Sequence, residues 1–178
     1  SIPYVQTTIA KKVTTKLNEE FGTDIYISRL GLNWKGEVDI REVYIADHHQ
    51  DTLIFAKSLQ TNILSIKNLI EGELNFGFID LNQAKFYLKT YKGEENDNIS
   101  IFAEKFNSDK PQKSDAKFEL FANNVSFKDS KVKIIDEGFE DSEIFNLYEI
   151  YIKAKKLLIR GPTVFTDIKK LSLKARRG

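Results

Sequence analysis

Val38-Asp39-Ile40-Arg41-Glu42-Val43-Tyr44-Ile45 decides the fold class. Val38 and Ile40 alternate with polar neighbours, a polar middle follows, and Val43 and Ile45 resume the alternation. A period of two sends successive side chains to opposite faces of an extended chain, so the stretch reads as strand with one face buried. Ile79-Asp80-Leu81-Asn82-Gln83-Ala84-Lys85-Phe86-Tyr87-Leu88 and Phe121-Ala122-Asn123-Asn124-Val125-Ser126-Phe127 share its form. If the likeness is a structural repeat, the sheet extends by repetition instead of closing.

The same alternation runs outward in both directions. Ile25/Ile27, Leu53/Phe55, Leu74/Phe76/Phe78, Phe86/Leu88, Val132/Ile134, Ile150/Ile152/Ala154, Leu157/Ile159 and Leu171/Leu173 interleave with charged or polar residues. Lys35-Gly36, Gly72, Gly77, Gly93, Asn123-Asn124, Asp129-Ser130 and Gly161-Pro162 separate the runs. About ten or more short antiparallel strands with one wet face are expected. Ile63 to Gly72 reads as a strand entering one helical turn. Ahead of the strands, Ile2, Val5, Ile9, Val13, Leu17 and Phe21 form a helical stripe whose other faces carry Gln6, Lys11, Lys12, Lys16 and Glu20. Pro3 suits its first turn and Gly22 its stop. The expected organisation is an amphipathic capping helix over 1–22 lying across one end of the sheet, a first β unit over 23–106, a polar mobile loop over 107–116, and a second, truncated β unit over 117–178.

Composition narrows the function. Thirteen Phe and seven Tyr mark a chain that folds. Twenty-seven Lys and Arg against twenty-six Asp and Glu leave a net charge of +1, so no global field attracts nucleic acid. The absence of Cys removes disulfides, thiolate metal sites and cysteine nucleophiles. Without Met at position 1, and with Ile168 to Lys174 reading as a strand cut short, the chain is expected to be a piece of a longer protein trimmed at both ends. No run approaches the ~18 apolar residues of a membrane span.

The candidate chemical sites are weak. Asp47-His48-His49-Gln50-Asp51 is the one His-bearing cluster. Adjacent His residues on an extended backbone diverge, and no other His or Cys completes a zinc set, so a solvated turn and no metal are expected. Glu94-Glu95-Asn96-Asp97 and Asp136 to Asp141 are acidic turns open to water, a poor setting for acid–base catalysis. No phosphate loop, nucleophile elbow or zincin helix is present. The C-terminal lysines and arginines, from Lys153 to Arg177, occupy the wet parity while the aromatics share the buried one, which favours a solvated sheet face over nucleic-acid binding and leaves anionic lipid as a second reading. No enzyme activity and no cofactor are expected.

A family resemblance rests on the order of several motifs. Ile2-Pro3-Tyr4-Val5-Gln6-Thr7 through Leu17 to Gly22, then Ile25-Tyr26-Ile27, resembles the segment after the inner-membrane anchor of AsmA-like proteins, with the translocation and assembly module (TamB) branch of Bacteroidetes the nearest in style. Gly36 to His49 and Asp51 to Leu59 are similar to the first sheet of that group. Asn68-Leu69-Ile70-Glu71-Gly72-Glu73-Leu74, continuing to Leu88, Gly93 and Asn98, resembles its recurrent turn, strand and hairpin. The resemblance covers roughly the first hundred residues, and the family's C-terminal domain is missing. It implies a mainly β fold with one N-terminal helix, forming an elongated, partly open antiparallel β-groove. It also implies a periplasmic, inner-membrane-anchored bridge that moves phospholipid toward the outer membrane. The alternative is an assembly or adaptor protein for outer-membrane protein insertion with an Omp85-type partner met through the missing C-terminal region. The expected groove lining is Val38, Ile40, Leu74, Phe76, Phe78, Phe86, Leu88, Val132, Ile134, Ile150, Ile152, Leu171 and Leu173.

Overall fold

The computed structural model describes residues 3–33, 35–63, 67, 74–107, 118–138 and 143–177, with the side chains of 3–7 and 143 outside the description. The expected helical turn before Gly72 and residues 108–116 of the expected loop lie outside the described residues. Helix α1 (Pro3–Phe21) precedes strands β1 (Asp24–Leu32), β2 (Glu37–Ala46), β3 (Thr52–Ile63) and β4 (Leu74–Thr90). A short helix, α2 (Asn98–Glu104), separates these from β5 (Glu119–Asp136), β6 (Glu143–Arg160) and β7 (Thr163–Arg177). The strands form one open sheet in sequence order, β1 to β7, so the fold is mainly β with a helix at the N-terminus. No described helix is long and apolar enough to cross a membrane.

Two details differ from the sequence expectation. The first is β4 beside β5, the one parallel pair among the described strands, in which every partner lies 46 residues later, from Leu74 beside Leu120 to Thr90 beside Asp136. Parallel neighbours need a crossover, and the stretch containing α2 supplies it. The second is that the described residues form seven long strands where about ten or more short ones are expected. Of the expected breaks, Gly77, Asn123-Asn124 and Asp129-Ser130 lie within strands, whereas Lys35-Gly36, Gly93 and Gly161-Pro162 fall between elements. Glu42 (φ 53°), Gln83 (φ 49°), Asp129 (φ 48°), Glu149 (φ 50°) and Lys156 (φ 55°) are left-handed inside strands. At each of them the apolar positions advance by three instead of two, as from Ile40 to Val43 or Phe127 to Ser130 and Val132. An inserted left-handed residue restores the face, and bends and twists the strand there.

The bends add up to strong curvature. Straight, β5 and its approach would hold Phe118 about 55 Å from Ile135. Yet Ile135 pairs with Lys89, whose N–H donates to Asn98 Oδ1 at 2.9 Å. Phe106, eight residues after Asn98, has its ring 4.3 Å from that of Phe118. Those eight residues rise only about 13 Å in helical geometry. The sheet is therefore rolled, and α1 seals part of the roll. Its last residue, Phe21, sits 5.1 Å from the Phe106 ring and 5.6 Å from the Phe118 ring. Gly22 (φ 63°) ends the helix in the left-handed cap that glycine adopts without strain. Asn18 then clamps the entry to β1, accepting from Ile25 N–H at 2.9 Å and donating to Ile25 C=O at 3.0 Å.

Candidate functional site

Residues directly opposite one another on neighbouring strands share a face, so the pairing register assigns the apolar side of the whole sheet. Val38 faces Leu32 and Thr61, and Ile40 faces Leu30 and Leu59. Leu74 faces Leu120, Phe76 faces Ile63 and Ala122, Phe86 faces Ile54 and Val132, and Leu88 faces Ile134. Val132 continues to Leu147 and Ile134 to Phe145, while Ile150 faces Ser130. Ile152 faces Phe127 on one side and Leu171 on the other. Leu173 shares the face of Leu171, because Ser172 between them pairs with Tyr151 on the other side.

Phe78 is the exception among the thirteen. Ile79, its neighbour, belongs to the central cluster of Ile79, Ala122, Val125 and Ala154, against which Phe76 and Leu81 also pack. The step from Phe76 to Ile79 turns Phe78 to the other face. The cause is Asn62, whose Oδ1 accepts from the N–H of Gly77 at 2.9 Å and of Phe78 at 3.1 Å, where the β3–β4 register shifts. The expectation that aromatics share the buried parity holds for Phe76, Phe86 and Phe127. It fails for Tyr26, Tyr44 and Phe55, which form a ladder on the opposite face that continues into Lys85 and Lys131.

The apolar face is the inside of the bend. Phe127 pairs with Leu81 and Phe86 with Val132, five residues apart along either strand, roughly 16 Å if straight. Their rings nevertheless stack at 5.9 Å, 17° from parallel. Only a fold at Gln83 and Asp129, closing toward the apolar side, brings them together.

Coverage of this face falls from β1 to β7. At the β1 end, Ala10 of α1 packs with Leu30 and Val38, flanked by Ile9, Ile27, Leu32, Ile40 and Ile63. Ile9, Val13 and Leu17 are half-buried. In the middle, the Ile79 cluster covers itself by curvature. Ile150 is still only 4% exposed, but Leu171 across from Ile152 is 52% exposed, and Val164, Ile168 and Leu173 are exposed with it. Every residue of β7 is exposed, and its outer edge carries no further strand among the described residues.

One end of the sheet holds a polar knot built from distant parts of the chain. Asp47, in the β2–β3 turn, is 2% exposed and Asn98 is 1% exposed. Asp47 Oδ2 accepts from Tyr91 OH at 2.7 Å and from Asn98 Nδ2 at 2.9 Å, and Oδ1 accepts from the N–H groups of His49 and Asp51. Burial pushes the Asp47 carboxyl up, but the hydrogen bonds from Asn98, Tyr91 and the two backbone groups outweigh it and hold the carboxyl below its ordinary value. Burial and the adjacent carboxylates of Asp47 and Asp51 raise the Tyr91 phenol. Lys89 pairs with Glu137 at 2.8 Å, which raises its ammonium. Beside the knot, His48 and His49 both reach Glu94. The turn residues Asp47 to Asp51 and the partners they meet around Tyr91, Glu94 and Asn98 lie about forty or more residues apart in sequence, and their only local signal is the Asx-turn pattern of Asp47. They hold the ends of β2, β3 and β4 together.

The chain matches no protein-family model and no curated protein.

Proposed function

We propose that the chain is a segment of a bridge that carries phospholipid, with acyl chains lying along the apolar concave face and head groups in water. The observation that supports this is the uncovered end of that face. Leu171, Leu173, Ile168 and Val164 continue the same surface as the sealed Ile79 cluster, yet stand in solvent. An exposed apolar strip continuous with a concave core favours burial against an apolar partner, and an acyl chain gains about 0.8 kcal/mol per CH₂ buried. Such transport asks for no catalytic residue and no cofactor. In this reading the segment works in the periplasm, anchored to the inner membrane by an upstream segment and reaching an Omp85-type outer-membrane protein through a downstream region, as the AsmA-like resemblance implies. Native mass spectrometry of the chain purified from bacterial membranes tests it: bound phospholipid is expected, and a lipid-free protein would count against the conduit.

β7 is the edge strand of the sheet among the described residues, which favours a second reading, an assembly adaptor whose sheet edge pairs with a client strand. Lys169, Lys170, Lys174 and Arg176 on β7 are the kind of edge charges that discourage indiscriminate pairing. A client peptide that protects β7 amides from hydrogen exchange, with no lipid recovered, would put this reading first.

A further inference from the structure

The β2–β3 turn presents two histidines in succession, and its geometry removes the reason for expecting them to diverge. Adjacent side chains point apart only where the backbone is extended. Here Asp47 Oδ1 accepts from the N–H groups of His49 at 2.9 Å and Asp51 at 3.0 Å, Gln50 takes φ 65°, and the chain reverses. Both rings swing to one side. His48 Nε2 lies 2.8 Å from Glu94 Oε2, and His49 Nε2 lies 2.7 Å from Glu94 Oε1. The ligating atoms of the three side chains all fall within 4.8 Å of one another.

We propose that His48, His49 and Glu94 form a binding site for one divalent transition-metal ion of the zinc, nickel or copper class. The inference is independent of the lipid reading. Two imidazoles and one carboxylate are the donors that borderline cations prefer, whereas magnesium and calcium take all-oxygen sets. Metal–ligand bonds of about 2.0–2.2 Å put tetrahedral ligand atoms roughly 3.3–3.5 Å apart. To reach that value the His–Glu contacts of 2.8 and 2.7 Å open and the longest spacing closes, by rotation of side chains that are 44% exposed in His49 and 29% exposed in Glu94. The site is also preorganised from beneath. The His49 ring lies on the Tyr91 ring at 3.8 Å, and Tyr91 is itself pinned by Asp47 and Asp51. On metal entry each imidazole carries its proton on Nδ1 and turns its Nε2 lone pair to the ion, while Glu94 exchanges two hydrogen bonds for one charged ligand bond. Three protein ligands leave a coordination position for water.

The alternative is that the three side chains only tie the turn to the loop after β4 by hydrogen bonds. Isothermal titration of the tag-free whole chain with ZnCl₂, NiCl₂ or CuCl₂ separates the two. Saturable binding of one ion per chain is expected, with no heat from MgCl₂. His48→Ala and His49→Ala should each weaken the affinity by roughly tenfold or more. Glu94→Gln, which keeps a hydrogen-bonding side chain of the same size, should weaken metal binding while leaving the melting temperature in chelator-treated buffer close to that of wild type. Cobalt(II) should give the visible absorption of a low-symmetry nitrogen/oxygen site in wild type and lose it in His49→Ala. Absence of saturable binding to wild type, or equal binding by a His49→Ala protein whose circular dichroism is native, overturns the proposal.

Discussion

Asn62 holds Gly77 by a contact that leaves no room for a side chain. Its Oδ1 accepts from the N–H groups of Gly77 and Phe78, and a Cβ built on Gly77 would lie 2.6 Å from that oxygen and 2.7 Å from the amide nitrogen. The side-chain amide thus stands in for the strand partner at the register shift, and it is what turns Phe78 away from the apolar face. Gly77→Ala must push the amide out and strand two N–H groups, so a loss of about 1–3 kcal/mol is expected in urea unfolding. Asn62→Ala strands the same two groups at similar cost. In the Asn62→Ala background Gly77→Ala should cost much less than alone, because there is no longer an amide to displace. Additive losses in this double-mutant cycle would refute the clamp.

The buried Asp47 knot makes stability depend on acid. Its folded carboxyl is held below its ordinary value of 3.8, so its contribution is fully present above that value and is lost as pH falls through the lower folded value. Melting temperatures from pH 6 downward should fall more steeply in wild type below about pH 4 than in Asp47→Asn, which has no charge to neutralise. At pH 7, Asp47→Ala should destabilise more than Tyr91→Phe, since it takes the acceptor from the N–H groups of His49 and Asp51 and from one Asn98 contact, while the Tyr91 hydroxyl keeps Asp51 and Asn98 keeps the Tyr87 carbonyl. The reverse order would contradict the knot's assignment.

How much of this was legible depends on distance along the chain. Alternation gives the strand face where nothing interrupts the pleat, as at Leu74 and Phe76 or Ile150 and Ile152. A left-handed Gln83 or Asp129 shifts the parity as a loop would, so alternation overcounts the strands, and one sequence does not separate a bulge from a break. Phe78 was assigned to the wrong face by the same ambiguity, its parity being set by Asn62 across the sheet. The parallel β4–β5 pairing and the partnership of Asp47 with Asn98, both long-range, left no periodic trace. Extended geometry would send His48 and His49 apart, and the Asp47 turn changes where they point.

Phe106 joins α1 to the rolled sheet. It is 6% exposed and meets the rings of Phe21, Phe102 and Phe118. Phe106→Ala should cost about 3–5 kcal/mol if the cavity does not collapse. Because the lost contacts include the last residue of α1, limited proteolysis should cut within α1 first in the variant and not in wild type. Simultaneous loss of protection in α1 and in β4 would show instead that the helix and sheet unfold as one unit.

The gradient of cover along the apolar face gives the sharpest test of transport. Ile150 is 4% exposed and faces Ser130 in the sealed part, whereas Leu171, on the same face beside Ile152, is 52% exposed. Ile150→Asp places an unpaired charge among packed groups, a cost of several kcal/mol against a whole stability of about 5–15, and the variant should lose its β-sheet circular dichroism. Leu171→Asp can hydrate its charge and should melt within a few degrees of wild type. Phe86→Asp and Ile152→Asp, half-buried at the two sides of the fold line, should fall between these extremes. If phospholipid acyl chains ride on the exposed strip, Leu171→Asp should lose most of the lipid seen by native mass spectrometry although it remains folded, because a charge interrupts the apolar track where the acyl chain would lie. Equal lipid in folded Leu171→Asp and wild type would mean that this strip carries no acyl chain, and the conduit reading would give way to strand pairing at the β7 edge.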